Sequence, residues 1–214
     1  MTGIEFVKSK QQNWANRKGF RLVGSTIPDK GEKNYLPNLA DNLFEKLSKE
    51  SLDCYNSGDG NETKDSKTRL AKMKALHSSS AIALNLFQYW QNKDVLPIVY
   101  ACELCSKSKS NLINKIKFEE KFEISGDKSL FSYSPNIDVV IRDSQSYVYA
   151  IESKFTEPYN SRKHDGISQK YIDNVSFWNG LSNLYDLAKE ICPDNNKFHY
   201  LVSLRKPHNH LIIK

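Results

Sequence analysis

The rhythm of apolar and polar positions changes along the chain. After the break at Pro37, residues 41–47 place Leu43, Phe44 and Leu47 at helical spacing. Positions 56–68 carry no large apolar side chain, cannot bury surface, and read as a polar loop. Ser78, Ser79 or Ser80 can cap a helix running through 81–90, in which Ile82, Leu86 and Tyr89 share one face and Leu84 and Phe87 broaden it. Apolar nearly all round, this helix is expected between two layers. Residues 96–105 read as a further short helix.

The period then switches to two. Ile116, Phe118, Phe122 and Ile124 share one face of a strand over 116–124, interrupted by Glu120 and closed by a turn at Gly126-Asp127. Residues 137–141 form a short apolar strand with one acid inside it. Residues 147–151, apolar on both faces, suit a central strand covered on both sides. A polar loop over 157–170 follows, then an amphipathic helix from Val175 to Ile191 stopped by Pro193, and a last strand over 198–204. The order from residue 78 onward, helix, three strands, helix, strand, predicts an α/β fold with a mixed central sheet flanked by helices. Residues 1–76 read as an N-terminal, partly helical extension that includes the loop 56–68, and residues 77–214 as the core. No internal repeat is present.

Composition narrows the function classes. Hydrophobic residues make up 39% and charged residues 26% of 214 positions, the balance of a globular domain. No apolar run approaches the roughly 20 residues that span a bilayer, and the first residues carry no signal-peptide core. The expectation is a cytoplasmic protein without a membrane partner. A net charge of +6 favours a polyanionic partner. Cys54, Cys102, Cys105 and Cys192 do not form a disulfide framework. Cys102-Glu103-Leu104-Cys105 is half of a zinc motif without its second half, so these cysteines read as small apolar residues.

Acid-x-Lys triplets occur at Glu62/Lys64, Asp65/Lys67, Glu119/Lys121 and Glu152/Lys154, and their settings separate them. The first two lie in the polar loop, where solvated charge is expected. Only Glu152 and Lys154 end a fully apolar strand. Strand alternation puts both on one face, with Ser153 opposite. Asp138 sits in the preceding apolar strand. A three- or five-residue loop centred on Gln145 would set Asp138 directly across from Glu152, whereas a two-residue loop would turn it away. Two facing carboxylates repel by roughly 4 kcal/mol at a protein-like dielectric. Lys154 offsets part of that. A hard divalent cation offsets more and accepts oxygen ligands, here Asp138, Glu152 and the Ser153 backbone carbonyl, which favours Mg²⁺ or Mn²⁺. Such a site polarises a water beside a phosphodiester, with Lys154 orienting the water or stabilising developing charge. The competing reading is a structural ion pair at a strand end.

Pro135-Asn136-Ile137-Asp138, followed fourteen residues on by Glu152-Ser153-Lys154, resembles the PD-(D/E)xK nuclease superfamily. The runs 77–87, Phe118-Glu119 and 151–158 are similar to its bacterial restriction-endonuclease-like branch. The resemblance covers residues 56–204. It implies the restriction-endonuclease-like core (αβββαβ), Mg²⁺ as cofactor, and DNA as substrate with 5′-phosphate products, in a restriction or defence role. Two departures stand out. The acid follows Pro135 by three positions, because Asn136 cannot supply the charge, and the first core helix lacks an acid in its apolar segment. Members often add a carboxylate before the aspartate strand, and Glu119 is the candidate here. Glu157 could orient Lys154 or a ligand water. Arg162, Lys163 and Lys170, in the loop after the site, could grip the phosphate backbone, as could Trp14, Arg17, Lys18 and Arg21. Cleavage of both strands would imply a homodimer. Two alternatives remain open: a catalytically silent nucleic-acid-binding module on the same fold, and an RNA- or structure-specific nuclease.

Overall fold

In a computed structural model, the structure describes residues 1–58, 60–103, 115–123, 128, 134–142, 148–156, 167–191 and 212–213. Helices α1 (Gly3–Arg17), α2 (Lys49–Ser57), α3 (Ser79–Phe87) and α4 (Leu96–Ala101) precede strands β1 (Lys115–Lys121), β2 (Asn136–Arg142) and β3 (Val148–Ile151). Helices α5 (Gln169–Asp173) and α6 (Ser182–Glu190) and the short strand β4 (Ile212–Ile213) follow.

The sheet order is β1-β2-β3-β4, and every pairing is antiparallel. The protein is thus α/β, but the described strands form an antiparallel sheet rather than the expected mixed one. The expected strand over 198–204 lies outside the described residues, and the fourth described strand is Ile212–Ile213. Val139, Val140 and Ile141 in β2 are all fully buried. Because neighbouring strand residues point to opposite faces, β2 is covered on both sides. In β3 only Tyr149 is buried, so the doubly covered strand is β2, not β3.

One core holds the sheet against the helices. Tyr55 of α2 stacks on Phe118 of β1 with ring centroids 5.5 Å apart. Leu84 and Phe87 of α3, Val95, Val99, Met73, and Val139 and Ile141 of β2 complete it. A smaller cluster of Ala15, Leu36 and Leu76 anchors α1. Tyr55 and Met73, within the expected N-terminal extension, lie in the main core.

Several elements differ from the sequence expectation for identifiable reasons. Helix α1 is opened by a capping box in which the Thr2 hydroxyl accepts from the Glu5 N–H and the Glu5 carboxylate accepts from the Thr2 N–H. Residues 41–47 form no α-helix: a 3₁₀ turn ends at Asn42, and Asn42 instead donates its side-chain amide to the carbonyls of Met73 and Ala75. In α3 the buried face is Ser80, Ala81, Leu84 and Phe87, while Leu86 and Tyr89 are exposed. That stripe, at spacings of three and four, sits on the face opposite to the one the large side chains suggested. The amphipathic stretch from Val175 divides at Gly180, whose φ of +78° only glycine adopts readily, into a 3₁₀ turn and α6.

Candidate active site

The β2–β3 register positions the acids. Val139 pairs with Ile151 and Arg142 with Val148. One step further along this register sets Asp138 opposite Glu152. This is the register that a loop centred on Gln145 requires. The Ser153 N–H donates to Asp138 Oδ2 at 2.6 Å. Lys154 Nζ lies 2.6 Å from Glu152 Oε1 and 3.9 Å from Asp138 Oδ2. The Asp138 side chain is 16% exposed, and those of Glu152 and Lys154 are each 28% exposed. The three groups therefore meet at a half-open strand end, where an ion pair is less screened than on a free surface. The Ser153 hydroxyl donates to the Ser79 carbonyl at 3.1 Å, fastening this strand end to the start of α3.

Glu119 enters from the other side. The pairs Phe118–Val139 and Glu120–Ile137 bracket it, so Glu119 of β1 lies opposite Asp138 of β2. Its φ of +50° is a left-handed conformation uncommon for a non-glycine residue in a strand. Its side chain lies against Gly58 at the end of α2, where an added Cβ would stand in ordinary contact, 3.6 Å from Glu119 Cβ and 3.7 Å from Glu119 Oε2. Burial, then the negative charges of Asp138, Glu62 and Glu152, push the Glu119 carboxyl up to about 7, against an opposing pull from Lys72. The same surroundings raise the Tyr55 phenol, through burial first and then the charges of Glu119, Asp138 and Glu62.

Glu62 is the residue that sequence reasoning dismissed. Assigned to a solvated loop, its side chain is only 12% exposed. The loop is pinned by hydrogen bonds from the N–H groups of Lys72 and Met73 to the carbonyls of Asn61 and Glu62, and Lys72 Nζ pairs with Glu62 Oε1 at 3.0 Å. Composition carries no signal for this, because the contact depends on where α2 delivers the loop. Asp65, of the other dismissed triplet, accepts from the Ala71 N–H and from Lys74 Nζ, and these two bonds hold its carboxyl below the usual range although burial pulls it up.

Lys170 stands in α5 with its ammonium 5.1 Å from the Tyr171 ring centroid. Arg162, Lys163 and Glu157 lie outside the described residues. Trp14 packs on Phe20 with centroids 5.7 Å apart. Of the cysteines, Cys54 and Cys102 are free thiols, and burial pushes Cys102 up; Cys105 and Cys192 lie outside the described residues.

The donor set around Asp138 is entirely oxygen: carboxylates from β1, β2 and the end of β3, with the Ser153 carbonyl between Glu152 and Lys154. Among the described residues, no three His, Cys, Asp or Glu side chains already stand in ligand positions. A site of one or two carboxylates completed by water and a substrate phosphate is nevertheless the usual manner of holding Mg²⁺. Burial, and then the neighbouring negative charges, raise Glu119, and a divalent cation would offset both. On donor chemistry and charge, these residues fit such an ion.

A family model described as restriction endonuclease associating with ARP (REase-ARP) matches residues 8–201. No curated protein matches, and no solved structure matches. No helix among the described residues is long and apolar enough to cross a membrane.

Proposed function

The chain belongs to the REase-ARP family of restriction endonucleases, and on that premise we propose that it is a divalent-metal-dependent DNA endonuclease of the PD-(D/E)xK type. Asp138, Glu152 and Lys154 are its catalytic groups. The observation that carries this reading is the strand register that turns Asp138 toward Glu152, with Lys154 Nζ 2.6 Å from one carboxylate and 3.9 Å from the other. A strand-end ion pair needs only one acid; a second carboxylate held 3.9 Å from the same ammonium is surplus to it.

When bound, Mg²⁺ or Mn²⁺ supplies Lewis acidity toward a phosphodiester oxygen and a water of lowered pKa. The chain's own residues set the stage. Asp138 and Glu152 present carboxylate oxygens from adjacent strands, joined by the Ser153 carbonyl and, from β1, Glu119. The Ser153 N–H fixes one Asp138 oxygen, which limits the ways that carboxylate can turn. Lys154 reaches past both acids, where it can orient the attacking water or neutralise charge developing on the phosphoryl oxygens. Arg162, Lys163 and Lys170 are proposed to hold the nucleic-acid backbone.

Digestion of supercoiled plasmid with purified protein, with Mg²⁺ and with EDTA, tests this. Mg²⁺-dependent nicking or linearisation that Lys154→Ala abolishes is the expected result. Full activity in Lys154→Ala would remove the assignment. Tight DNA binding with no Mg²⁺ or Mn²⁺ uptake by calorimetry would instead indicate a silent binding module.

A further inference from the structure

Beside the acidic groups, a cavity of about 340 Å³ opens at the start of α3, lined by Lys72, His77, Ser79, Ser80, Thr156 and Glu62 among others. Ser80 is 9% exposed and Thr156 is 7% exposed. Neither hydroxyl has a hydrogen-bond partner among the described residues, and both side chains line one cavity, so each is open to an acceptor that enters it. The cavity also receives the N-terminal end of a nine-residue helix with no acid in its first turn. There the N–H groups of Ala81 and Ile82 are taken by Ser78, whose hydroxyl and carbonyl accept them. The Ser80 N–H has no acceptor among the described residues. Free donors and the positive end of a helix select an anion. Glu62 is the one acid in the wall, and its Oε1 is held by Lys72 at 3.0 Å, which leaves the wall's net charge close to neutral before the helix end is added.

The cavity is joined to the candidate active site at two points. Thr156 follows Lys154 by two residues, and the Ser153 hydroxyl bonds the carbonyl of Ser79. We infer that this cavity binds a non-scissile phosphate of the nucleic-acid chain, received by the Ser80 and Thr156 hydroxyls and the first turn of α3, so that the neighbouring phosphodiester is set at Asp138, Glu152 and Lys154. The inference rests on the endonuclease reading for the origin of the phosphate, but not for the anion site itself.

The test is calorimetric titration of the full chain with inorganic phosphate in EDTA, where no metal contributes. Wild type binds phosphate. Thr156→Val, nearly equal in shape, and Ser80→Ala each weaken binding about tenfold, the loss of one hydrogen bond to a charged group, with melting temperatures held. Thr156→Ser, which keeps the hydroxyl, restores it. A short duplex DNA displaces the bound phosphate, and in Mg²⁺ both weakened variants raise KM for plasmid while kcat holds. No phosphate binding by wild type, equal binding by Thr156→Val and Ser80→Ala, or failure of duplex DNA to displace phosphate overturns the inference. If plasmid is never cut but phosphate binding follows the two hydroxyls and yields to DNA, the anion site stands and the endonuclease reading fails.

Discussion

The Ser153 N–H and Asp138 Oδ2 lie 2.6 Å apart, so the residue between the two groups of the Glu152-Ser153-Lys154 run also holds the acid of the neighbouring strand. At this half-buried strand end the backbone N–H takes a carboxylate as its acceptor. The position of the acid is thereby coupled to that of Lys154. A substitution at 138 consequently acts on stability as well as on chemistry, and the two effects can be separated.

Asp138→Ala removes both the carboxylate and the acceptor, whereas Asp138→Asn keeps an acceptor oxygen. Both should lose cleavage, by at least a factor of about 100 in kcat if the acid holds the metal. Only the alanine variant should also lose stability, by about 1–3 kcal/mol for an unsatisfied donor. Paired plasmid assays and denaturant titrations would show it; equal stability of the two variants would mean that the N–H finds another acceptor.

Lys154→Ala should remove cleavage and leave the fold in place. Its side chain is 28% exposed, so little packing is lost. Two facing carboxylates are then left without their cation. The melting temperature in EDTA should fall slightly, because the repulsion between them is then uncompensated. Retained activity in this variant contradicts the catalytic role.

Phe118 is 1% exposed and stacked on Tyr55. Phe118→Ala should destabilise by about 3–5 kcal/mol through lost burial and the cavity left behind. Because Phe118 precedes Glu119, activity should fall with it even at temperatures where the variant is folded. Circular dichroism melting alongside plasmid assays separates the two losses.

Parts of this arrangement were legible in the chain and parts were not. Ile137, Val139 and Ile141 announce a strand, and an acid among them is conspicuous because apolar alternation leaves little room for it. The hairpin register follows from the distance between Asp138 and Glu152, since a loop centred on Gln145 allows few closures. Glu119 was legible only as a carboxylate in the right strand; its left-handed backbone and its neighbours are tertiary facts. Glu62 was misread because a loop without apolar residues is solvated by default, and only the packing of α2 and the Lys72 pair bring it inward. Helix α1 escaped for a different reason. Only Ala15 of its fifteen residues is buried, so the apolar period that identifies helices is weak, and the Thr2/Glu5 box is its clearest sign. The packed face of α3 is not the one that Ile82, Leu86 and Tyr89 predict, because the small Ser80, Ala81 and Ala83 lie on the packed side with Leu84 and Phe87 while Leu86 faces out.

The titration of Glu119 gives a pH dependence with a definite sign. Its folded-state value is raised from 4.5 to about 7, so the folded chain binds more protons than the unfolded chain between these limits. Stability from this group is fully present below about 4.5 and is lost as pH rises through about 7. In EDTA, wild type should therefore melt at a higher temperature near pH 5 than near pH 8. In Glu119→Gln this component of the difference should vanish. An unchanged pH profile in the glutamine variant would mean that other groups set it.

Metal should act in the opposite direction over the same range. A divalent cation binds ionised carboxylates, so its affinity rises as Glu119 loses its proton. Mg²⁺ at 100 times its dissociation constant stabilises by about 2.7 kcal/mol if it binds only the folded chain. Added Mg²⁺ should raise the melting temperature more at pH 8 than at pH 5.5, and Asp138→Asn should abolish the increase. Glu119→Gln should reduce it and flatten its pH dependence, because the carboxyl that takes up a proton near 7 is gone. Differential scanning fluorimetry across pH, with and without Mg²⁺, reads all three. A Mg²⁺ shift that survives Asp138→Asn would place the ion elsewhere on the protein, and one that is independent of pH in wild type would remove Glu119 from its ligands.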